Sequence, residues 1–347
     1  MGSPEKTRVR GVRRTALITA ALGLIVSVIV IVSVGFGKIA QAFANIGWYG
    51  FLALCAAFLI STAALAFSWL VLVPKASVRS ALALFFARLV RDASGELLPF
   101  SSLGGFVFGA RAAMLGGVAA EVAISTTVVD VTAEFIGQIG FTALGIALLA
   151  YRPEAQVEDQ QFLIHSAYGL AAAALGVAVF VVLQRPLSSL IERMVARWAP
   201  SALAQTSAVI ASLHALYQRP FLLTASSILH FLSWVLGAVG VWAGLWVAGV
   251  HYSMRQIVGL ESLMYAVRSI GFFAPMGLGV IETGYALVAG FFGLGAEFAV
   301  ALSLIKRARD IAIGVPALLL WQFLEGRRMI RPSAGSGGAE EAPAVSE

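Results

Sequence analysis

Charge is scarce in this chain. Asp, Glu, Lys and Arg make up only 12% of its 347 residues, against 59% hydrophobic residues, and the mean hydropathy is +0.89. An ordinary soluble domain is about a quarter charged. A chain this apolar has too few polar groups to cover a water-facing surface, which excludes a soluble globular domain and leaves lipid as the solvent for most of it. Cysteine is scarcer still. A single Cys55 excludes an intramolecular disulfide, and its place in an apolar run marks it as a small core hydrophobe. The four histidines, His165, His214, His230 and His251, stand at no metal-ligand spacing, so neither a metal nor another cofactor is expected. An ATPase motif is also missing. Gly277-Leu278-Gly279 lacks the strand before it that a nucleotide-binding loop requires.

What is present is a succession of long apolar runs. Crossing about 30 Å of hydrocarbon takes roughly 20 residues. Six runs meet this length: Thr15–Phe36, Gly47–Val73, Ala119–Ala150, Phe162–Val182, Phe221–Val250 and Ala296–Leu324. The net charge of +6 is concentrated at their flanks. Lys6, Arg8, Arg10, Arg13 and Arg14 precede the first run; Arg327, Arg328 and Arg331 follow the last; Lys75 and Arg79 follow the second. Basic flanks mark the cytoplasmic side, which places both termini there in a multi-pass membrane protein. This basicity speaks for contact with anionic lipid; no nucleic acid is expected as a partner. Lys38–Ile46 and Tyr151–Gln161 read as outer loops, and Gln184–Pro220 as an inner amphipathic connection. The division is a basic N-terminus (1–14), one transmembrane domain (15–325, with halves 15–150 and 162–325), and a basic, then disordered tail (326–347). Gly237, Gly240 and Gly244 stand at spacings that let a second helix approach closely.

Two segments fit neither span nor loop. Ser80–Gly117 is too charged for lipid and is broken at Pro99 and Gly104-Gly105. His251–Gly295 behaves alike, with Glu261 and Arg268 embedded and a break at Pro275, Gly277 and Gly279. Each reads as a helical hairpin that enters the membrane and leaves on the same side, since non-helical backbone at that depth needs protein or a wet cavity around it. Three spans lie between the two, so the hairpins enter from opposite sides. The expected fold is therefore all-α, a polytopic membrane protein of six full spans and two re-entrant hairpins in an inverted repeat, with a binding site where the broken elements meet.

Charges inside a span cost about 2.5–3.5 kcal/mol each, so their spacing is informative. Arg88, Asp92 and Glu96 share a helical face with Arg91 beside it, and Asp130, Glu134 and Gln138 share another. Lys306–Asp310 and Arg307–Asp310 stand at pairing distance along one helix. Two readings stay open. In one, Arg88, Arg91 and Arg111 neutralise Asp130 and Glu134 and lock the first hairpin. In the other the charges line a groove, where a phosphate would seek Arg88, Arg91, Arg111, Arg268, Arg307 or Arg309, and an amine or proton would seek Asp130, Glu134 or Glu282. No nucleophile has a basic partner nearby, so an enzyme is not expected.

At these segments the chain resembles the lysylphosphatidylglycerol synthase transmembrane-domain family. The residues that carry the resemblance are Arg88-x-x-Arg91, Glu96-Leu-Leu-Pro99, Gly104-Gly105, Arg111 and Asp130 in the first half, and Pro275-Met-Gly277-Leu-Gly279-Val-Ile-Glu282 in the second. Met276 stands where the family often has glycine. The stretches RDASGELLPFSSLGG and VVDVTAE are most similar to the hopanoid-biosynthesis-associated subgroup. The resemblance implies a flippase-like protein of the bacterial inner membrane that moves a lipid, with an anionic phospholipid or hopanoid headgroup as partner and the residues just named around the groove, to which the charge spacing adds Glu134, Arg268, Arg307 and Asp310. A second copy of the chain or another membrane protein is the further partner to expect. Synthase members carry a soluble aminoacyl-transferase domain after the membrane part; this chain has a short tail there, so aminoacyl transfer is not expected. A headgroup-modifying enzyme and an ion-coupled solute carrier are the alternatives.

Overall fold

The computed structural model describes residues 36–98, 102–150, 203–271 and 278–330, with a few isolated positions between 164 and 182. Among the described residues every regular element is an α-helix. The expected span Phe162–Val182, almost all of Thr15–Phe36, the loop Tyr151–Gln161, and Pro99, Pro275 and Gly277 lie outside the described residues, isolated positions aside, as does the tail after residue 330.

The first helix, α1 (Phe36–Leu70), bends at Gly47. Lys38–Ile46 is the opening part of this helix and not the expected loop, because Ala40, Ala42 and Ala44 favour helix and no breaker occurs before Gly47, whose φ of 57° suits only a residue without Cβ. α2 (Val78–Leu97) starts at Ser77, whose hydroxyl accepts from the Ser80 N–H at 3.2 Å, a common N-cap. There follow α3 (Ser102–Leu115), α4 (Ala120–Ala150), α5 (Leu203–Tyr217), α6 (Pro220–Val247), α7 (Met254–Gly271), α8 (Val280–Phe291) and α9 (Ala296–Ile330). By length and composition α1 from Ala44, α4 and α6 can cross a membrane. α9 is as long, but Lys306, Arg307, Arg309 and Asp310 interrupt its apolar character. α5 is the described part of the expected amphipathic connection. It is an apolar helix that packs Leu213 and Leu216 against Leu72 and Val129, and its Ser212 and Tyr217 hydroxyls bond those of Ser125 and Thr132 on α4.

Both broken segments fold back on themselves as hairpins. Gly105 lies against Arg91 and Gly95, Gly109 against Ala87 and Arg91, and Gly116 against Ala83, so α2 and α3 are antiparallel. In the second segment Gly284 lies against Met264 and Val267, while Gln256 Nε2 donates to the Phe292 carbonyl at 3.0 Å, which makes α7 and α8 antiparallel too.

The halves repeat residue by residue. Ser77 and Ser253, Arg79 and Arg255, Pro99 and Pro275, Gly117 and Gly293, and Glu121 and Glu297 are all separated by the interval that separates the first residues of α2 and α7. Gly117 and Gly293 both turn the chain at positive φ, 98° and 68°. The packing repeats as well: α1 on α2, α2 on α3 and α3 on α4 correspond to α6 on α7, α7 on α8 and α8 on α9, and across the halves α4 meets α7 as α9 meets α2. α1 and α6 are equivalents, and they lie against each other in opposite directions. Gly50 neighbours Ala248, Leu54 neighbours Gly244, Ala57 neighbours Gly240 and Ser61 neighbours Gly237. Equivalent helices that run oppositely are what an inverted repeat requires. The glycines make this crossing close: a Cβ on Gly240 would stand 2.6 Å from that of Ala57.

The two ends of the helices differ in chemistry. Trp48, Tyr49 and Trp246 are exposed just past the Gly47 bend of α1 and where α6 ends, beside one exposed arginine, Arg255, at the start of α7. Lys75, Arg79, Arg219, Arg327 and Arg328 are exposed at the other end, near the finish of α1 and the starts of α2 and α6. Aromatic residues favour the membrane interface and basic residues its cytoplasmic side.

Candidate functional site

Arg88 and Arg91 lie within one turn of α2 and face α4, where Asp130 and Glu134 are likewise one turn apart. Arg88 Nη2 donates to Glu134 Oε1 at 2.9 Å and Arg88 Nε to Asp92 at 3.0 Å. Arg91 Nη1 donates to Asp130 Oδ2 at 2.6 Å, and its other terminal nitrogen donates to Glu134. Its guanidinium also lies over the Phe106 ring, 4.4 Å from the centroid. His230 of α6 completes the cluster, with Nε2 at 2.9 Å from Asp130 Oδ1. Arg88, Arg91, Asp130 and His230 are buried, and a buried charge persists only when paired and hydrogen-bonded. Gln138, the third member of the α4 face, donates to the Tyr265 carbonyl at 3.0 Å. Arg111 does not join this cluster. α3 packs on α2 through its glycine face, and Arg111 points off that face to Glu325 of α9 at 2.6 Å.

The second half holds its own cluster. Lys306 of α9 donates to Glu261 of α7 at 2.5 Å and to the Tyr285 hydroxyl at 2.7 Å, and that hydroxyl donates to Glu261 at 2.8 Å. Glu282 accepts from Arg307 Nε at 2.6 Å and caps α8 through the Gly279 N–H at 2.9 Å. Asp310 pairs with Arg309 at 2.6 Å, whose guanidinium lies 4.3 Å from the Phe58 ring centroid. The Lys306–Asp310 and Arg307–Asp310 pairs expected along one helix thus give way to partners on α7 and α8, because those packed neighbours bring carboxylates to the buried cations. Lys306 also occupies the repeat position of Asp130, the same interval along the chain. At this position the halves carry opposite charges, while one turn further on Glu134 and Asp310 keep the same sign.

Between the halves lies a cavity of about 340 Å³. Its charged lining is balanced: Arg88, Arg91, Arg268, Lys306 and Arg309 face Asp92, Glu96, Glu134, Glu261 and Asp310. Arg268 of α7 and Glu96 of α2 pair at 2.6 Å. Of the residues singled out from the sequence, Arg88, Arg91, Glu96, Glu134, Arg268 and Asp310 meet here. Asp130 sits behind the wall; Arg111, Gly279, Glu282 and Arg307 lie outside the lining. Glu261, Tyr265, Tyr285 and Trp234 line the cavity as well, and the sequence signalled only Glu261, as a charge embedded in an apolar segment. Among the described residues no group of three His, Cys, Asp or Glu side chains is placed to hold a metal ion. The arrangement suits ion exchange: each guanidinium, ammonium and carboxylate in the wall can trade its protein partner for one on a guest.

No curated protein and no solved structure matches the chain significantly. The family model described as the lysylphosphatidylglycerol synthase TM region matches residues 19–317, which include both hairpins and the whole charged cavity. The chain thus belongs to that family and is a membrane-embedded protein with a lipid-related function.

Proposed function

We propose that this protein is a lipid translocase or lipid transport factor of the bacterial inner membrane, in which a polar headgroup passes through the charged cavity between the two hairpins while the acyl or polycyclic tail stays in lipid. The observation that carries the reading is the cavity itself, enclosed by helices of both halves and lined by matched charges. Charged groups inside a membrane mark substrate pathways, and inverted repeats commonly hold their substrate where they meet. The basic end of the helices is assigned to the cytoplasm, together with both termini. Phospholipids and hopanoids are the substrates proposed, the latter from the resemblance in the first half. No bond-making step is assigned: Glu134, Glu261 and Asp310 are each engaged by an arginine or lysine and serve as ion-pair partners.

The test is reconstitution of the full chain in liposomes carrying lipids with labelled headgroups. Exchange between leaflets is expected to run well above the protein-free rate and to fall toward it in Glu134→Gln. Unchanged leaflet distribution for every headgroup tried would overturn the reading. A new lipid species in mass spectra of the same vesicles would replace it with headgroup modification. The lipid profile of a deletion strain decides between hopanoid and phospholipid.

A further inference from the structure

Among the ion pairs that line the cavity, Arg268–Glu96 stands apart in two ways. Its members belong to different hairpins, α7 and α2, and are joined Nη1 to Oε1 at 2.6 Å. They are also the most open: their side chains are 29% and 33% exposed, against 10% and 6% for Lys306–Glu261 and 8% and 12% for Arg309–Asp310. This bridge therefore ties one hairpin to the other at the cavity surface, where a guest meets it first.

The balanced lining restricts what that guest is. A bare anion on Arg268 leaves Glu96 without its cation and adds net charge to a poorly solvated chamber. A bare cation on Glu96 strands Arg268 in the same way. Removing one partner of an ion pair in the wall leaves an uncompensated charge, which exchanging both avoids. A headgroup that carries both signs a few atoms apart satisfies both at once.

We infer that the Arg268–Glu96 bridge is a binding site for a zwitterionic phosphate–ammonium headgroup, with the phosphate on the Arg268 guanidinium and a primary ammonium on the Glu96 carboxylate, and that the bridge between the hairpins opens as the headgroup enters. A guanidinium fork matches two phosphate oxygens, and an ammonium supplies three N–H donors to a carboxylate. A primary amine fits better than a quaternary one. A quaternary ammonium has no N–H to donate to the carboxylate. This inference rests on the proposed role of the cavity as a headgroup chamber and narrows the phospholipids proposed there to zwitterionic ones, in place of the anionic headgroup expected from the sequence. The same chemistry exists in phosphatidylethanolamine and in soluble phosphoethanolamine.

The experiment places the full chain in nanodiscs of equimolar dioleoyl phosphatidylethanolamine and dioleoyl phosphatidylglycerol and measures retained lipid by mass spectrometry. The wild type is expected to retain phosphatidylethanolamine over phosphatidylglycerol by about tenfold, the ratio that one unmet charge readily produces. Glu96→Gln should bring the ratio to unity or below it, because Arg268 is then left as an uncompensated cation. Arg268→Lys, which keeps the charge and loses the fork, should reduce it, and serves in place of Glu96→Gln if that variant does not fold. Glu325→Gln breaks an ion pair outside the cavity and should leave the ratio unchanged. Equal retention by the wild type, or an unchanged ratio in a folded variant of the bridge, would overturn the inference. Competition by soluble phosphoethanolamine would assign the site to the headgroup alone, and failure to compete would assign it to the lipid; both keep it zwitterionic. A protein that selects phosphatidylethanolamine but moves no lipid would refute translocation only, whereas one that moves lipid without selecting would refute this inference only.

Discussion

Glu134 accepts from Arg88 and Arg91 at once, so it is the joint between α2 and α4. Replacing it with glutamine keeps the shape but leaves both guanidiniums short of charge. Breaking a buried pair costs about 3–5 kcal/mol. Glu134→Gln should therefore melt well below the wild type in detergent micelles. Asp92→Asn should cost less than Glu134→Gln, since Arg88 keeps Glu134 and Asp92 engages one arginine where Glu134 engages two. The spacing of Arg88, Arg91, Asp130 and Glu134 made this joint legible in the sequence, because both faces repeat at one helical turn. Lys306 was not legible in the same way. Its partner Glu261 lies on a helix that precedes it by a whole hairpin, and the near charge, Asp310, is taken by its own neighbour. Spacing along α9 pointed to Asp310 as the partner of Lys306, whereas packing supplied Glu261 from α7.

At the level of the helix, close approach decides what is tolerated. Gly240→Val would push against Ala57 and should destabilise by about 1–3 kcal/mol, the usual cost of overpacking. Gly290 in α8 has nothing within 4 Å of where a Cβ would stand, so Gly290→Ala should be neutral or stabilise by up to about 1 kcal/mol through helix propensity. Comparing the two melting temperatures checks both. A Cβ on Gly237 would lie 3.5 Å from that of Ser61, at the short end of the disulfide range of about 3.5–4.5 Å. Ser61→Cys with Gly237→Cys, on a Cys55→Ser background, should thus form a bond under mild oxidation and shift mobility after a cut between the halves. The α6 glycine spacing announced a close crossing in the sequence, but the identity of the partner helix came only from the fold. Likewise Gly47 was read as the start of a span, although it is a bend within a helix that has already begun. A glycine marks where the backbone can turn, and tertiary packing decides whether the helix resumes.

Across the whole molecule, the aromatic and basic ends predict opposite exposures. A cysteine at Ala76 and one at Gly249, each on the Cys55→Ser background, should react with a membrane-impermeant maleimide from opposite faces of sealed vesicles; labelling of both from one face would contradict the inverted repeat. The hairpins and their inverted relation were legible because proline and glycine breaks stand out in apolar sequence. The charge reversal between Asp130 and Lys306 was hidden, since it depends on aligning the halves without a gap. In the cavity wall α2 and α9 carry Arg88, Arg91, Lys306 and Arg309 against Asp92, Glu96 and Asp310, while α4 and α7 carry Glu134 and Glu261 against Arg268. The first side is one charge positive and the second one charge negative, a small field across the chamber that turns a two-signed guest one way round and gives a symmetric frame a direction.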